Sequence, residues 1–349
     1  MSSPHSDLPR APPPVRRPGR RAILLVLALV GLVAGGLTFI GARGELEDIA
    51  RAVARGDLRW ILLAAFLQTG FFLAMAYAFD GAARLVGARL PFRRLALLSA
   101  SLPFVNLFFP TGGLAGAIHE ARHFERMGLA RPRAILAVAA EFVLFWASFF
   151  VIFFLGLAFL ATRAGLAREH LLVVGMGLGL FLGLAFVTFT VLTDPDRLLA
   201  WAEPITRLRE RLKLKRSDAP SLVEEVVDAV KLLEAEWKHL ASPFAASLAA
   251  WAFEIASLYA IFLAFGHPVH PGVLVAGYAL GVFLGKILPI PGGLGVVDAS
   301  MAATFAGLAV PLPIAIAVVL VHRGLALWLP VLVGGFAFRA LERTPAAAR

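Results

Sequence analysis

The chain is 349 residues long, 59% hydrophobic, carries a formal charge of +10 and has no cysteine; its mean hydropathy is +0.81. Apolar runs of about 18 residues or more recur, which excludes a soluble globular domain and indicates an all-α, polytopic membrane bundle. Disulfides, thiolate metal sites and cysteine nucleophiles are excluded. The positive charge clusters in short loops between apolar runs, where it orients a membrane protein and meets anionic lipid, so nucleic acid is not an expected partner.

Residues 1–20 are rich in proline and arginine and poor in apolar side chains, the composition of a disordered tail. The apolar run 22–42 follows Arg16, Arg17, Arg20 and Arg21. It is long enough to span, and Gly41-Ala42-Arg43-Gly44 is a poor cleavage site, so a retained first helix is expected rather than a signal peptide. Further spans are expected at 60–79, 134–162, 170–193, 242–266 and 313–338, giving about six full crossings.

Two other apolar segments, 95–127 and 271–310, are interrupted at Pro110-Thr111-Gly112-Gly113 and at Pro291-Gly292-Gly293. Their arms, about 14 to 20 residues or roughly 21 to 30 Å of helix, are short for a crossing. They read either as two antiparallel re-entrant hairpins or, if the breaks only kink longer helices, as part of a bundle of eight or more spans. A helix broken at membrane depth survives only where its freed backbone groups meet protein or water, which marks both breaks as candidate site elements.

With both segments as hairpins, the tail and the segments 80–94, 122–133, 194–241 and 339–349 carry 25 Arg and Lys residues, against 6 in 43–59, 163–169 and 267–271. The positive-inside rule then places both termini in the cytoplasm and orients the two hairpins oppositely. Gly112-Gly113-Leu114 and Gly292-Gly293-Leu294 open corresponding short helices, and Pro132 and Pro313 precede the following spans. Such correspondence is the sequence signature of inverted repeats, whose discontinuous helices form the central site of many transporters. The expected organisation is therefore a transmembrane domain over 21–340 and a short tail over 341–349. Residues 194–241, with ten acids and nine bases, form a cytoplasmic amphipathic helical insert lying on the bilayer surface.

Ionisable groups inside spans cost roughly 2.5 to 3.5 kcal/mol each on insertion scales, so each needs a partner or a function. Glu141, Glu254, Lys286, Asp298, His322 and Arg323 all lie in or beside apolar helices. Their signs suggest pairing of Arg323 with Glu141 or Glu254, and of Lys286 with Asp298. Arg323 stands out because guanidinium keeps its charge and matches carboxylate or phosphate with a planar fork. The helix starts after Gly113 and Gly293 add free N–H groups and a positive dipole end, which with Lys286 and Arg323 would suit a phosphate-bearing head group. His119 and Glu120 follow the first break, and His123 lies one turn beyond His119. No His-Glu-x-x-His order accompanies them, so a structural role is expected and no metal site, cofactor or catalytic residue is assigned.

The run Pro289-Ile290-Pro291-Gly292-Gly293-Leu294-Gly295-Val296-Val297-Asp298, with Arg323, Leu329-Pro330 and Gly334 further on, closely resembles the lysylphosphatidylglycerol synthase transmembrane region family of flippase-like proteins. Asn106, Pro110, Gly113 and Glu141 resemble that family's first broken segment. The family usually has Glu at Asp298, and often an Arg where this chain has Phe142. The soluble aminoacyl-transferase domain of bifunctional members has no counterpart here, so lysyl transfer is not expected. The resemblance implies a translocator in the cytoplasmic membrane acting on a phospholipid or a polyisoprenyl-linked lipid. Its expected site comprises Asn106, Gly112, Gly113, Glu120, Glu141, Glu254, Lys286, Pro291, Gly292, Gly293, Asp298, His322 and Arg323. A membrane-embedded enzyme of lipid-linked sugar metabolism and an accessory subunit of envelope assembly are the alternatives, with a second copy or an assembly partner as protein contacts. The sequence has no G-x-x-x-x-G-K-[ST] loop, so direct ATP use is not expected.

Overall fold

The computed structural model describes residues 54–109, 113–164, 237–287 and 296–343, with isolated positions at 51, 179 and 183. The expected spans at 22–42 and 170–193, the insert and both tails lie wholly or largely outside them. So do the loops containing Pro110, Gly112, Pro291, Gly292 and Gly293, and the side chain of Lys286.

All regular structure among the described residues is helical. Helix α1 (Leu58–Leu85) starts at Asp57, whose carboxylate accepts the Arg59 N–H at 2.9 Å. It stops where Gly87 takes a φ of 74°, with Gly87 and Ala88 N–H groups returning to the last turn. Helix α2 (Phe92–Phe108) follows Pro91 and contains Pro103; α3 (Leu114–Arg126) follows Gly113, whose φ of 96° favours glycine. Helix α4 (Arg131–Ala164) is the longest among the described residues.

After a 3₁₀ turn at Trp237–Leu240 come α5 (Ala241–Ala264), α6 (Pro271–Ile287) and α7 (Val296–Gly307). Helix α8 (Leu312–Arg323) passes through a π-helical turn at Gly324–Trp328 into α9 (Leu329–Arg343).

Lengths explain roles. Helices α1, α4, α5 and the continuous α8–α9 rod are long and apolar enough to cross a membrane. They correspond to the spans expected at 60–79, 134–162, 242–266 and 313–338. Helices α2, α3, α6 and α7 have 17, 13, 17 and 12 residues; at about 1.5 Å per residue each falls short of a hydrocarbon core of about 30 Å. The order long, short, short, long thus occurs twice.

Close helix contacts use small residues, as expected where apolar lipid removes the usual driving force and van der Waals fit must hold helices together. Helices α1 and α5 run antiparallel. The Asp57 N–H donates to Ala264 O at 2.9 Å, the buried Ser257 hydroxyl donates to Ala64 O at 2.9 Å, and a Cβ on Gly81 would come 2.8 Å from Pro243. Helices α6 and α7 are also antiparallel: Gly277 faces Phe305, and a Cβ on Gly281 would lie 3.0 Å from Met301 Cα. Helix α2 packs on α9, where Gly334 leaves room for Ala100 O, and α4 packs on α6, where Gly156 meets Ala276. Between α4 and α5, Phe145 and Trp251 stack with centroids 4.4 Å apart, and the indole N–H donates to Phe145 O at 3.2 Å.

Gly281 offers a direct test of this packing. Gly281→Ala places a methyl against backbone and should lower stability by about 1 to 2 kcal/mol through overpacking, despite alanine's better helix propensity. Gly307→Ala enters open space and should be neutral or mildly stabilising. Thermal unfolding midpoints in detergent check both; equal midpoints would contradict the close α6–α7 contact.

Candidate functional site

The long final rod delivers two consecutive ionisable side chains into the protein. Consecutive residues of an α-helix project about 100° apart, so His322 and Arg323 reach different neighbours. His322 Nε2 lies 3.3 Å from Glu254 Oε1 on α5. Arg323 lies 2.9 Å from Asp298 Oδ2 in the first turn of α7, where the helix dipole also favours an acid. Both His322 and Arg323 are 6% exposed. Tyr278 of α6 places its ring edge-on to the His322 imidazole at 6.2 Å.

This arrangement corrects the expected pairing. Arg323 meets Asp298 rather than Glu141 or Glu254, because its direction around the helix points it at α7, while His322 takes Glu254. The expected Lys286–Asp298 pairing falls outside the described residues, because the Lys286 side chain does. The chain passes into the π turn immediately after Arg323; such turns often occur at functional positions. Chemically, α5, α6, α7 and α8 enclose two acids and two basic side chains, with His322 Nδ1 buried and lacking a hydrogen-bond partner.

A second cluster gathers at α2, α3 and α4. The Asn106 amide oxygen accepts the Gly116 N–H at 3.1 Å, so one of the N–H groups at the start of α3, expected to be free for an anion, is already satisfied. Gly116 is required there, since a Cβ would lie 2.6 Å from Asn106 Oδ1. The Ser101 hydroxyl donates to Leu98 O at 2.7 Å and lies 3.0 Å from His119 Nε2. With its proton committed to the carbonyl, Ser101 accepts from the ring N–H and is not arranged as a nucleophile activated by a base.

His123 Nδ1 donates to His119 O at 2.9 Å, and the two rings stand 4.2 Å apart. Arg126 pairs with Glu342 at 2.9 Å, tying the end of α3 to the end of α9. Glu120 and Glu141, 3% and 6% exposed, lie on the packed helices α3 and α4.

The structure therefore brings Glu254, Asp298, His322 and Arg323 together, and Asn106, Gly113, Glu120 and Glu141 around the other hairpin-like pair. Sequence reasoning passed over Tyr278 and Ser101; the signal for Tyr278 was a phenol within an otherwise apolar run of a chain with only 3 tyrosines.

The sequence profile of the lysylphosphatidylglycerol synthase TM region matches residues 23–334. The chain belongs to this family. A UPF0104 membrane protein of Methanothermobacter thermautotrophicus is 24% identical over 314 residues, covering 88% of this chain and 91% of that protein. A second UPF0104 membrane protein of the same organism is 28% identical over 131 residues, covering 36% and 39% respectively. Family membership and the four long apolar helices together make this a multi-pass membrane protein.

The Arg323–Asp298 pair predicts an asymmetric mutational response. Asp298→Asn leaves a buried guanidinium short of its carboxylate and should cost about 1 to 3 kcal/mol, below the range for a fully buried pair because Asp298 is partly exposed. Adding Arg323→Gln should restore much of the loss. A double-mutant cycle of thermal midpoints measures the coupling; strictly additive losses would contradict a direct interaction.

Proposed function

We propose that this protein translocates a phosphate-bearing lipid, either a phospholipid or a polyisoprenyl-linked lipid, across the cytoplasmic membrane. The observation that carries the reading is a buried guanidinium, Arg323, held at the first turn of the short helix α7 by the Asp298 carboxylate and flanked by the His322–Glu254 pair. Arginine and a helix start are both suited to phosphate oxygens, and a charge of this kind within a spanning helix marks a substrate path.

In this reading α2–α3 and α6–α7 are oppositely oriented re-entrant hairpins, and the chain from α1 to α9 comprises two inverted repeats. The short arms, the antiparallel α1–α5 contact and the twofold order of lengths support it. The ends of α1, α4, α5 and α6 also group as the charge distribution requires. Asp57 meets Ala264, and Phe159 stacks on His270 at 5.2 Å, in segments assigned to the outer side. Arg126 meets Glu342 in segments assigned to the cytoplasmic side. Both termini are then cytoplasmic.

The head group enters between the hairpins while its tails remain in lipid. Phosphate displaces Asp298 from Arg323, and the His322–Glu254 pair absorbs the local change in charge. Rocking one repeat against the other exposes the site to the opposite face. An enzymatic reading draws less support, because the Ser101–His119 geometry serves the backbone.

The test is protein-dependent equilibration of fluorescent phospholipids and of a polyisoprenyl phosphate in liposomes, read with an impermeant quencher. Wild type should equilibrate one of the two classes. The Asp298→Asn/Arg323→Gln protein should remain folded and lose at least about 2 kcal/mol of transition-state stabilisation, a rate loss of roughly thirtyfold. Unchanged rates in the folded double variant would overturn the assignment of Arg323.

A further inference from the structure

Hydrogen bonding around His322 is incomplete on two sides. Gln68, Glu254 and His322 are 3%, 7% and 6% exposed, and His322 Nε2 lies 3.3 Å from Glu254 Oε1. Yet neither His322 Nδ1 nor Gln68 Oε1 has a hydrogen-bond partner among the described residues. Gln68 belongs to α1. The contacts of Asp57 with Ala264, Ala64 with Ser257 and Gly81 with Pro243 bracket it, so the antiparallel register sets it level with Glu254. Helix α1 also touches the π turn that follows Arg323. A buried polar atom without a partner costs about 1 to 3 kcal/mol, and two of them flank a single acid–imidazole contact.

The charges around His322 come from three helices. Glu254 stands on α5 and Asp298 on α7, where it meets Arg323, while α6 presents the Tyr278 phenol edge-on to the ring. Lys286 of α6 has its side chain outside the described residues, and α1 contributes the neutral Gln68. With a neutral imidazole, the described side chains of this cluster are two carboxylates against one guanidinium. A phosphate arriving at Arg323 adds a further negative charge. In a buried cluster that addition is offset by a proton on the adjacent imidazole, and Nδ1 is the position left open for it.

We propose that the His322–Glu254 pair takes up one proton for each phosphate anion that Arg323 binds, so that lipid phosphate and proton cross together and the transmembrane proton gradient drives lipid movement. The proposal rests on the translocation reading and supplies its driving force. The proton comes from water and forms one N–H bond at His322 Nδ1, while the contact between Nε2 and Glu254 stays in place. Gln68 Oε1 offers a buried acceptor at the same level. When the anion leaves on the other side, that N–H bond breaks and the proton returns to water there. No electrons are exchanged, and the pair ends each cycle as it began. Ionisable residues inside membrane bundles commonly serve as such relays.

Two arms test this with the full chain. In an uncharged maltoside detergent, phosphatidylglycerol and a polyisoprenyl phosphate serve in turn as probes. Nitrogen NMR of ring-labelled histidine, with the His322 signal identified by its loss in His322→Gln or His322→Asn, should show a bare Nδ1 in the free protein and an N–H on both ring nitrogens once a probe is bound. Between the titrations of the free and the bound pair, the wild-type Kd should rise about tenfold per unit of pH, one proton per anion. That part of the slope should vanish in whichever variant keeps the wild-type gel-filtration profile, and subtraction removes any titration of the probe itself. In liposomes with a pH difference of about one unit and no membrane voltage, wild type should enrich the translocated probe about tenfold in the leaflet facing the alkaline side. This second arm needs no variant.

A His322 ring unchanged by a bound probe, or a pH slope that survives in the variant, overturns the pair as the proton site while the Arg323 anion site stands. Probe movement that ignores the pH difference, or that enriches the acidic side, overturns the coupling and leaves translocation intact. Binding of neither probe, with no movement in liposomes, overturns the translocation reading and this proposal with it.

Discussion

Inside hydrocarbon, a polar group without a protein partner is expensive, and this one constraint organises the whole molecule. It requires helices for the backbone, close contacts for the helix pairs and counter-charges for each ionisable side chain. Gly81, Gly156, Gly281 and Gly334 stand at close approaches of neighbouring helices, and Ser257 uses a hydroxyl to join α5 to α1. Asn106 performs the same service at a helix start, satisfying an N–H of α3 that continuous helix would otherwise have covered. The interrupted segments are therefore tied into the bundle by specific partners on both arms.

The same constraint gives the two polar clusters different characters. At α5–α8 the described charges stand in opposite pairs, His322 with Glu254 and Arg323 with Asp298. At α3–α4 the two acids lack such balance among the described residues. The aromatic stack of Phe145 and Trp251 lies between the helices that carry Glu141 and Glu254, one turn from each acid.

Much of this architecture was legible in the sequence because hydrophobic length is a direct reading of membrane thickness. The runs at 60–79, 134–162, 242–266 and 313–338 became four long helices with ends shifted by a few residues. Gly113 announced the start of α3, where its positive φ turns the chain. Partner choice was not legible. Arg323 and Asp298 are 25 positions apart, and whether they meet depends on the rotation of α8, which no local pattern encodes. His322 and Arg323 look like one basic feature in sequence, yet their different angular directions assign them to Glu254 and Asp298.

Translocation through the Arg323–Asp298 pair requires that the start of α7 be reached from water deep within the membrane. Because the chain has no cysteine, Ala299→Cys, one residue beyond Asp298, introduces a single reporter thiol. Its reaction with a charged, membrane-impermeant thiol reagent should be measured in oriented vesicles, applied from each side in turn. The account predicts rapid modification from at least one side, slowed by a saturating phosphate-bearing lipid that is translocated. Modification from neither side would mean a dry, kinked helix packed for structure alone and would contradict the account.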